Sequence, residues 1–322
     1  MTIVCTGSIA YDYLMTYPGY FRDHLLPEHL DSVSLSFLVD TMVRQRGGTA
    51  PNIAYTLALL GQTPMIVGTV GQDFSDYHTW LESKGIDLSF VRVIPDDFTA
   101  SFFANTDLSN AQIASFYTGA MKYASEISLH ELNLTPKDLV IISPNDPGTM
   151  VLYVSECQEL GVPYLYDIGQ QVARCDPDDI KRGTQAAHCL FVNEYEYELV
   201  KKHTGLSKNE ILKYVDYMVI TLAEKGACIY VKEEKFNVPS VAPEKIVDPT
   251  GVGDAFRSGF LVGKETGLDW ETCGQIGVLA ATYCLEQKGT QSHDYSIPEF
   301  IKRYRTHFDD QGALDILLKT NP

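Results

Sequence analysis

The run Asp248-Pro249-Thr250-Gly251-Val252-Gly253-Asp254-Ala255-Phe256 follows a short strand-like segment, Lys245–Val247, and opens a helical stretch rich in small residues (Ala255, Ser258, Gly259, Gly263). Two glycines directly before a helix leave successive backbone N–H groups unpaired at its positive end, and such an end binds an anion. Asp254 falls in the first helical turn beside that site. A carboxylate there can accept the proton of a hydroxyl as it attacks a phosphoryl group. Three other readings compete for the same residues. Asp254 can cap its helix. Gly251-x-Gly253 is half of a dinucleotide fingerprint, but Phe256 occupies the third small position and the run lies far from the first strand. Proline and glycine can also mark an ordinary turn. The acidic residues at both ends make the full string more specific than any of these.

Outward from this run, short apolar segments alternate with helical ones. The pattern predicts strands at Ile3–Gly7, Met65–Val70, Leu139–Ser143, Tyr164–Asp167, Cys189–Val192, Met218–Thr221 and Cys228–Val231. It predicts helices at Pro51–Leu60, Tyr77–Lys84, Pro147–Leu160, Tyr195–His203, Gly251–Gly263 and Glu271–Gln287, and a helical tail from Ile297. Gly61, Gly85, Gly161 and Gly205 each close a helical stretch. Pro51 sits in a first turn, where a missing N–H is harmless. The alternation implies an α/β fold with a mostly parallel sheet covered on both faces. Two stretches, Ser32–Asp40 and 91–117, have instead the period of half-exposed strands. They are expected to form a small sheet projecting as a lid, inserted at about 12–45 and 91–118 of a single domain.

The full string resembles the C-terminal signature of the ribokinase-like, PfkB-type carbohydrate kinases. Gly47-Gly48-Thr49-Ala50-Pro51-Asn52 is similar to that family's N-terminal Gly-Gly motif, Asn193-Glu194-Tyr195-Glu196 to its Asn-x-x-Glu motif, and Thr221-Leu222-Ala223-Glu224-Lys225-Gly226 to its nucleotide-binding motif. The resemblance spans nearly the whole chain and implies a three-layer α/β/α sandwich with a β-sheet lid. It implies an ATP-dependent kinase in which Asp254 is the base and Gly251, Val252 and Gly253 form the anion hole. Asn193 and Glu196 would organise Mg²⁺ through water, which suits an ion that keeps most of its hydration shell. Asp248 and Thr250 would hold a monovalent cation such as K⁺. Thr221, Ala223 and Gly226, with Asn193 and Gly253, would bind ATP. Ala223 departs from the glycine usual in the family, and alanine is strained if that position requires φ > 0.

For the acceptor, the resemblance is greatest to bacterial adenosine kinases. It implies a nucleoside surrounded by Ser8, Asp12, Ser36, Gly47, Gly48, Asn52, Phe102, Phe116, Gln170, Gln171 and Arg174. A carboxylate and an amide can grip vicinal ribose hydroxyls, and aromatic rings suit a flat base. Adenosine is the expected acceptor. A free sugar such as ribose or fructose, or another nucleoside, is the alternative within the family. A non-catalytic ligand-binding protein on the same fold is the alternative outside it.

Composition sets the remaining bounds. The 322 residues are 45% hydrophobic and 21% charged, as in ordinary globular proteins. A net charge of −17 without any Lys/Arg block argues against nucleic acid as a partner. Phosphates must then be held by backbone N–H groups, metal ions or single basic residues. The seven cysteines are scattered and never spaced as CxxC, so reduced thiols are expected. No membrane span and no signal peptide are read, and a cytoplasmic location is expected. A lid sheet with an apolar face suggests a homodimer.

Overall fold

The computed structural model describes residues 1–24 and 34–319. Its larger sheet is built from β1 (Ile3–Thr6), β4 (Met65–Gly71), β5 (Asp87–Ile94), β8 (Leu139–Ile142), β9 (Tyr164–Tyr166), β10 (Cys189–Asn193), β11 (Tyr217–Thr221), β12 (Ala227–Val231) and β13 (Glu234–Val238). The strand order is β13-β12-β11-β10-β9-β8-β1-β4-β5. All neighbours from β5 to β11 run parallel, and β12 and β13 add an antiparallel hairpin at one edge.

The apolar runs read as strands because both faces of this sheet are covered. Ile3, Cys5, Ile141, Cys189 and Phe191 enter one core. Their alternates Val4, Val140, Ile142, Leu190 and Val192 enter the other. The first core is completed by helices α1 (Thr49–Leu59), α2 (Ser75–Ser83), α7 (Val252–Glu265), α8 (Trp270–Leu285) and α9 (Ile297–Tyr304). The second is completed by α3 (Pro147–Leu160), α4 (Pro177–Ala186), α5 (Glu194–Thr204) and α6 (Lys208–Tyr214). A period-2 alternation between two apolar faces leaves an uninterrupted hydrophobic string in the sequence. All seven cysteines are buried and unpaired with one another. Among the described residues, no helix is long and apolar enough to cross a membrane.

The smaller sheet has the order β3-β2-β6-β7, from β2 (Ala10–Thr16), β3 (Thr41–Gly47), β6 (Ala100–Thr106) and β7 (Gln112–Tyr117). It differs from the expected lid in two ways. Residues 91–94 belong to β5, an edge strand of the main sheet, whose half-exposed face has the same period as a lid strand. The first lid hairpin uses β2 and β3; residues 34–39 carry no regular structure, and positions 32 and 33 lie outside the described residues. Lys245–Val247 is not a strand either. It is exposed, and among the described residues its backbone is tied by the Val247 N–H to Leu285 carbonyl bond of 3.0 Å.

The turn after β11 contains two positions with positive φ, one held by glycine and one by alanine. Gly226 has φ +88°, and a Cβ there would lie 2.0 Å from the Val238 carbonyl oxygen. Ala223 has φ +51°, so the conformation that favours glycine holds an alanine. Gly226→Ala is therefore expected to destabilise by at least the roughly 1–3 kcal/mol of backbone strain. Ala223→Gly relieves about 1–2 kcal/mol of left-handed strain and gives back about 0.4–1 kcal/mol through a freer unfolded chain. Chemical denaturation should thus show a clear loss for the first and no loss or a small gain for the second.

Candidate active site

The parallel strands end along one edge of the main sheet, where doubly wound folds place their ligands. Turns after β1, β3 and β8 are stitched there by Ser8 N–H to Pro144 carbonyl (2.8 Å) and Ala50 N–H to Ser8 carbonyl (3.3 Å). Helix α7 points its N-terminus at the same edge. Its first residue follows Gly251 at φ +77°, and no side chain caps it. Small residues let α7 approach α8 closely: a Cβ on Gly259 would stand 2.7 Å from the Ile276 carbonyl oxygen. The Asp248 carboxylate closes the preceding turn by accepting from Thr250 N–H (2.9 Å) and Gly289 N–H (3.0 Å).

Asp254 is not a cap. It is the third helical residue, and its carboxylate turns away from the helix end toward α1 and across its own helix. Asn52 Nδ2 donates to its Oδ2 at 2.9 Å, and Arg257 Nη1 lies 3.4 Å from its Oδ1. The Asn52 amide is oriented in turn by Gln291 Nε2, which donates to Asn52 Oδ1 at 2.9 Å. Arg257 Nη2 donates to Asp167 Oδ1 at 2.8 Å. Burial raises the pKa of Asp254 above the ordinary carboxylate range; Arg257 and the Asn52 hydrogen bond oppose the shift, and Glu196 adds to it. Burial also pushes Asp167 up to about 7, against the pull of Arg257. A carboxylate made more basic by burial, with one cation beside it favouring the charged form, has the character of a general base.

Asp254 forms one wall of a cleft of about 390 Å³ that the lid faces. Across the lid, Gln45, Asp12, Phe102 and Phe116 are directly paired positions on neighbouring strands. All four line the cleft, with Ser8, Gly48, Thr49, Asn52, Gly169, Gln170, Glu196, Thr250, Gly251, Arg257 and Thr290. The Gly-Gly turn makes room for the acidic member of that row. A Cβ on Gly47 would meet Asp12 Oδ2 at 2.6 Å, and Gly48, at φ +95°, would drive a Cβ to 2.4 Å from the Ser8 carbonyl oxygen. Burial and the negative charge of Asp248 raise the Asp12 pKa to about 6.

Other expected residues lie elsewhere. Gln171 is buried and donates to the Asn145 carbonyl, so it braces a loop instead of lining the cleft. Arg174 and Ser36 are exposed and outside the lining. Asn193 and Glu196 form a capping box on α5, with Asn193 Oδ1 accepting Glu196 N–H and Glu196 Oε2 accepting Asn193 N–H, both at 2.8 Å. Glu196 still lines the cleft, and among the described residues only its Oε2 is hydrogen-bonded, which leaves Oε1 to meet a hydrated cation. One carboxylate beside a phosphate site suffices for Mg²⁺ bound through water, so the residues fit that ion. Asn193 is paired in register with Thr221, which sets the Asn-x-x-Glu turn beside the turn of Ala223 and Gly226 at the same sheet edge.

Arg257, Asp167, Gln45, Thr49, Thr290 and Gln291 were not foreseen as part of the site. Arg257 alone carried a signal, standing three residues beyond Asp254 on one helix face. The others depend on which turns the sheet edge gathers.

The sequence pattern of the pfkB family of carbohydrate kinases matches residues 2–296. A nucleoside kinase from Methanocaldococcus jannaschii is 28% identical over 307 residues, 95% of this chain and 97% of its own. Among solved structures, the Burkholderia thailandensis nucleoside kinase in complex with inosine is 38% identical, with a TM-score of 0.84 over 96% of this chain and 98% of its own. The M. jannaschii nucleoside kinase structure superposes with a TM-score of 0.86 at 27% identity, over 95% of this chain and 98% of its own. The family match over residues 2–296 and the likeness to the nucleoside kinase structure show that this chain belongs to the pfkB carbohydrate kinase family and is a phosphotransferase with an alcohol acceptor.

Proposed function

We propose that this protein transfers the γ-phosphoryl group of ATP to the 5′-hydroxyl of a nucleoside, with a purine nucleoside such as adenosine as the preferred acceptor. The observation that carries the reading is the lid row Gln45–Asp12–Phe102–Phe116 lying across the cleft from Asp254. Its polar members suit vicinal ribose hydroxyls, and its rings offer apolar faces to a planar base. A free sugar would use only the polar half. The nucleoside kinases to which the chain is similar, one of them bound to inosine, support the same reading.

In the proposed reaction the acceptor 5′-oxygen attacks the γ-phosphorus while its proton passes to Asp254. The bond from phosphorus to the bridging oxygen breaks, and ADP leaves. The free N–H groups at the start of α7 stabilise the charge on the transferring group. Mg²⁺, held through water by Glu196 and the Asn193 amide, would neutralise phosphate charge when bound. Closure of the lid would exclude water. Asp248 spends hydrogen-bonding capacity of both oxygens on backbone N–H groups, so a monovalent cation at Asp248–Thr250 would draw on their remaining lone pairs and on loop carbonyls. The outer lid face exposes Phe103, Ile113 and Tyr117, which is compatible with a second copy pairing there.

The acceptor is tested by ADP release in Mg-ATP across adenosine, inosine, cytidine, ribose and fructose. Turnover on nucleosides at low concentration is expected, and turnover confined to free sugars would overturn the proposal. Asp254→Asn should fold normally and lose about 10²–10⁴-fold in kcat; near-normal kcat would remove Asp254 as the base. Ionised Asp12 accepts hydroxyl hydrogens, and protonation takes lone pairs away. Acceptor KM should therefore rise as pH falls through about 6 and stay flat above it. Asp12→Asn should raise KM at all pH values and abolish that limb.

A further inference from the structure

Arg257 lies outside every motif used above, yet its guanidinium is bracketed by two carboxylates. Nη2 donates to Asp167 Oδ1 at 2.8 Å, and Nη1 stands 3.4 Å from Asp254 Oδ1. The Arg257 side chain is 12% exposed and that of Asp167 1%. Buried ion pairs seldom add net stability over apolar packing of the same volume, so stability alone is a weak reason for this one. The guanidinium has a second neighbour besides the base. A Cβ on Gly253 would fall 2.9 Å from Arg257 Nη1, which places the cation against the anion-binding turn.

The brace behind it is rigid. Asp167 follows β9 directly, and its N–H bonds the Ile142 carbonyl at the end of β8 (2.9 Å). A planar fork fixed at one tine to the sheet edge presents the other tine in a set direction. Asp254 is thereby approached from two sides by fixed donors: Oδ2 by the Asn52 amide, Oδ1 by Arg257. Each carboxylate oxygen keeps lone-pair capacity for an incoming proton. Among the described residues, Arg257 Nε is buried without a hydrogen-bond partner.

We infer that Arg257 is a positioning residue for the phosphoryl-transfer step: anchored on Asp167, it fixes the orientation of the Asp254 carboxylate toward the acceptor. The inference rests on the reading of Asp254 as the base. Its action runs through Asp254, so acceptor binding on the lid is left to Asp12 and its row.

The test compares Arg257→Ala, Arg257→Lys, Asp254→Asn and the double variant Arg257→Ala/Asp254→Asn with the intact enzyme, using the nucleoside that turns over best. Misplacing a catalytic group by an ångström can cost about 10²-fold. Arg257→Ala should lose kcat on that order with acceptor KM nearly unchanged, and added guanidinium chloride at non-denaturing millimolar concentration should restore part of it. The double variant should be no slower than Asp254→Asn alone, because the two residues act as a unit. Losses that multiply, or unchanged kcat in Arg257→Ala, would overturn the inference. If Arg257→Ala does not fold, Arg257→Lys decides: it keeps the charge without the fork, and a lower kcat at unchanged KM is expected, whereas full kcat would overturn the inference. An active Asp254→Asn would instead remove the base assignment itself, so the two failures are distinct.

Discussion

The hydrogen bond from the Asn52 amide to the Asp254 carboxylate joins residues 202 positions apart, and the site is organised around it. It docks the N-terminus of α1, entered by the Gly-Gly turn, against the N-terminus of α7, entered by the Asp-Pro-Thr-Gly turn. Both helices lie on one face of the sheet and share its core. Two helix starts thus meet where a buried carboxylate needs donors. The contact is directional because Gln291 fixes the amide, and Tyr77, hydrogen-bonded to both Gln291 and the Gly47 carbonyl, ties the arrangement to the foot of the lid.

The proposed reaction also asks how an acidic protein would handle phosphate. A chain of net charge −17 repels polyanions at long range, and no broad basic surface is needed if the anion site is local. The first turn of α7 offers backbone N–H groups with no side-chain cap, and in the proposed reaction these would meet the anion. Burial acts on Asp254, the proposed base, by raising its proton affinity. Asp254, Asp167 and Glu196 crowd one guanidinium, which keeps the proton affinity of Asp254 high without leaving it uncompensated.

The central strands were readable in the sequence because burial on both faces leaves uninterrupted apolar runs such as Cys189–Val192, and the helix ends because Gly161 and Gly205 occupy left-handed caps. The lid was harder. An edge strand with one wet face, β5, has the same period as a lid strand, so 91–94 was read into the wrong sheet. Lys245–Val247 has β-branched residues but no strand to pair with. At the site, the turn and helix start of its own run mark Asp254 locally, whereas Asp12 and Asn52 came only from the family resemblance; the three line one cleft. Gln171 shows the limit: adjacent glutamines look alike in sequence, while the geometry after β9 sends Gln170 to the cleft and Gln171 inward. Arg257, Asp167 and Gln291 were missed because their meaning lies in contacts between distant turns.

The proposed reaction requires that a nucleoside hydroxyl reach Asp254. A crystal structure with adenosine or inosine and a non-hydrolysable ATP analogue measures this directly. The 5′-oxygen is expected within hydrogen-bond reach of the Asp254 carboxylate, about 2.6–3.2 Å, with the ribose on Asp12 and the base against Phe102 or Phe116. A nucleoside bound with its 5′-oxygen turned away from Asp254, or bound outside this cleft, would contradict it.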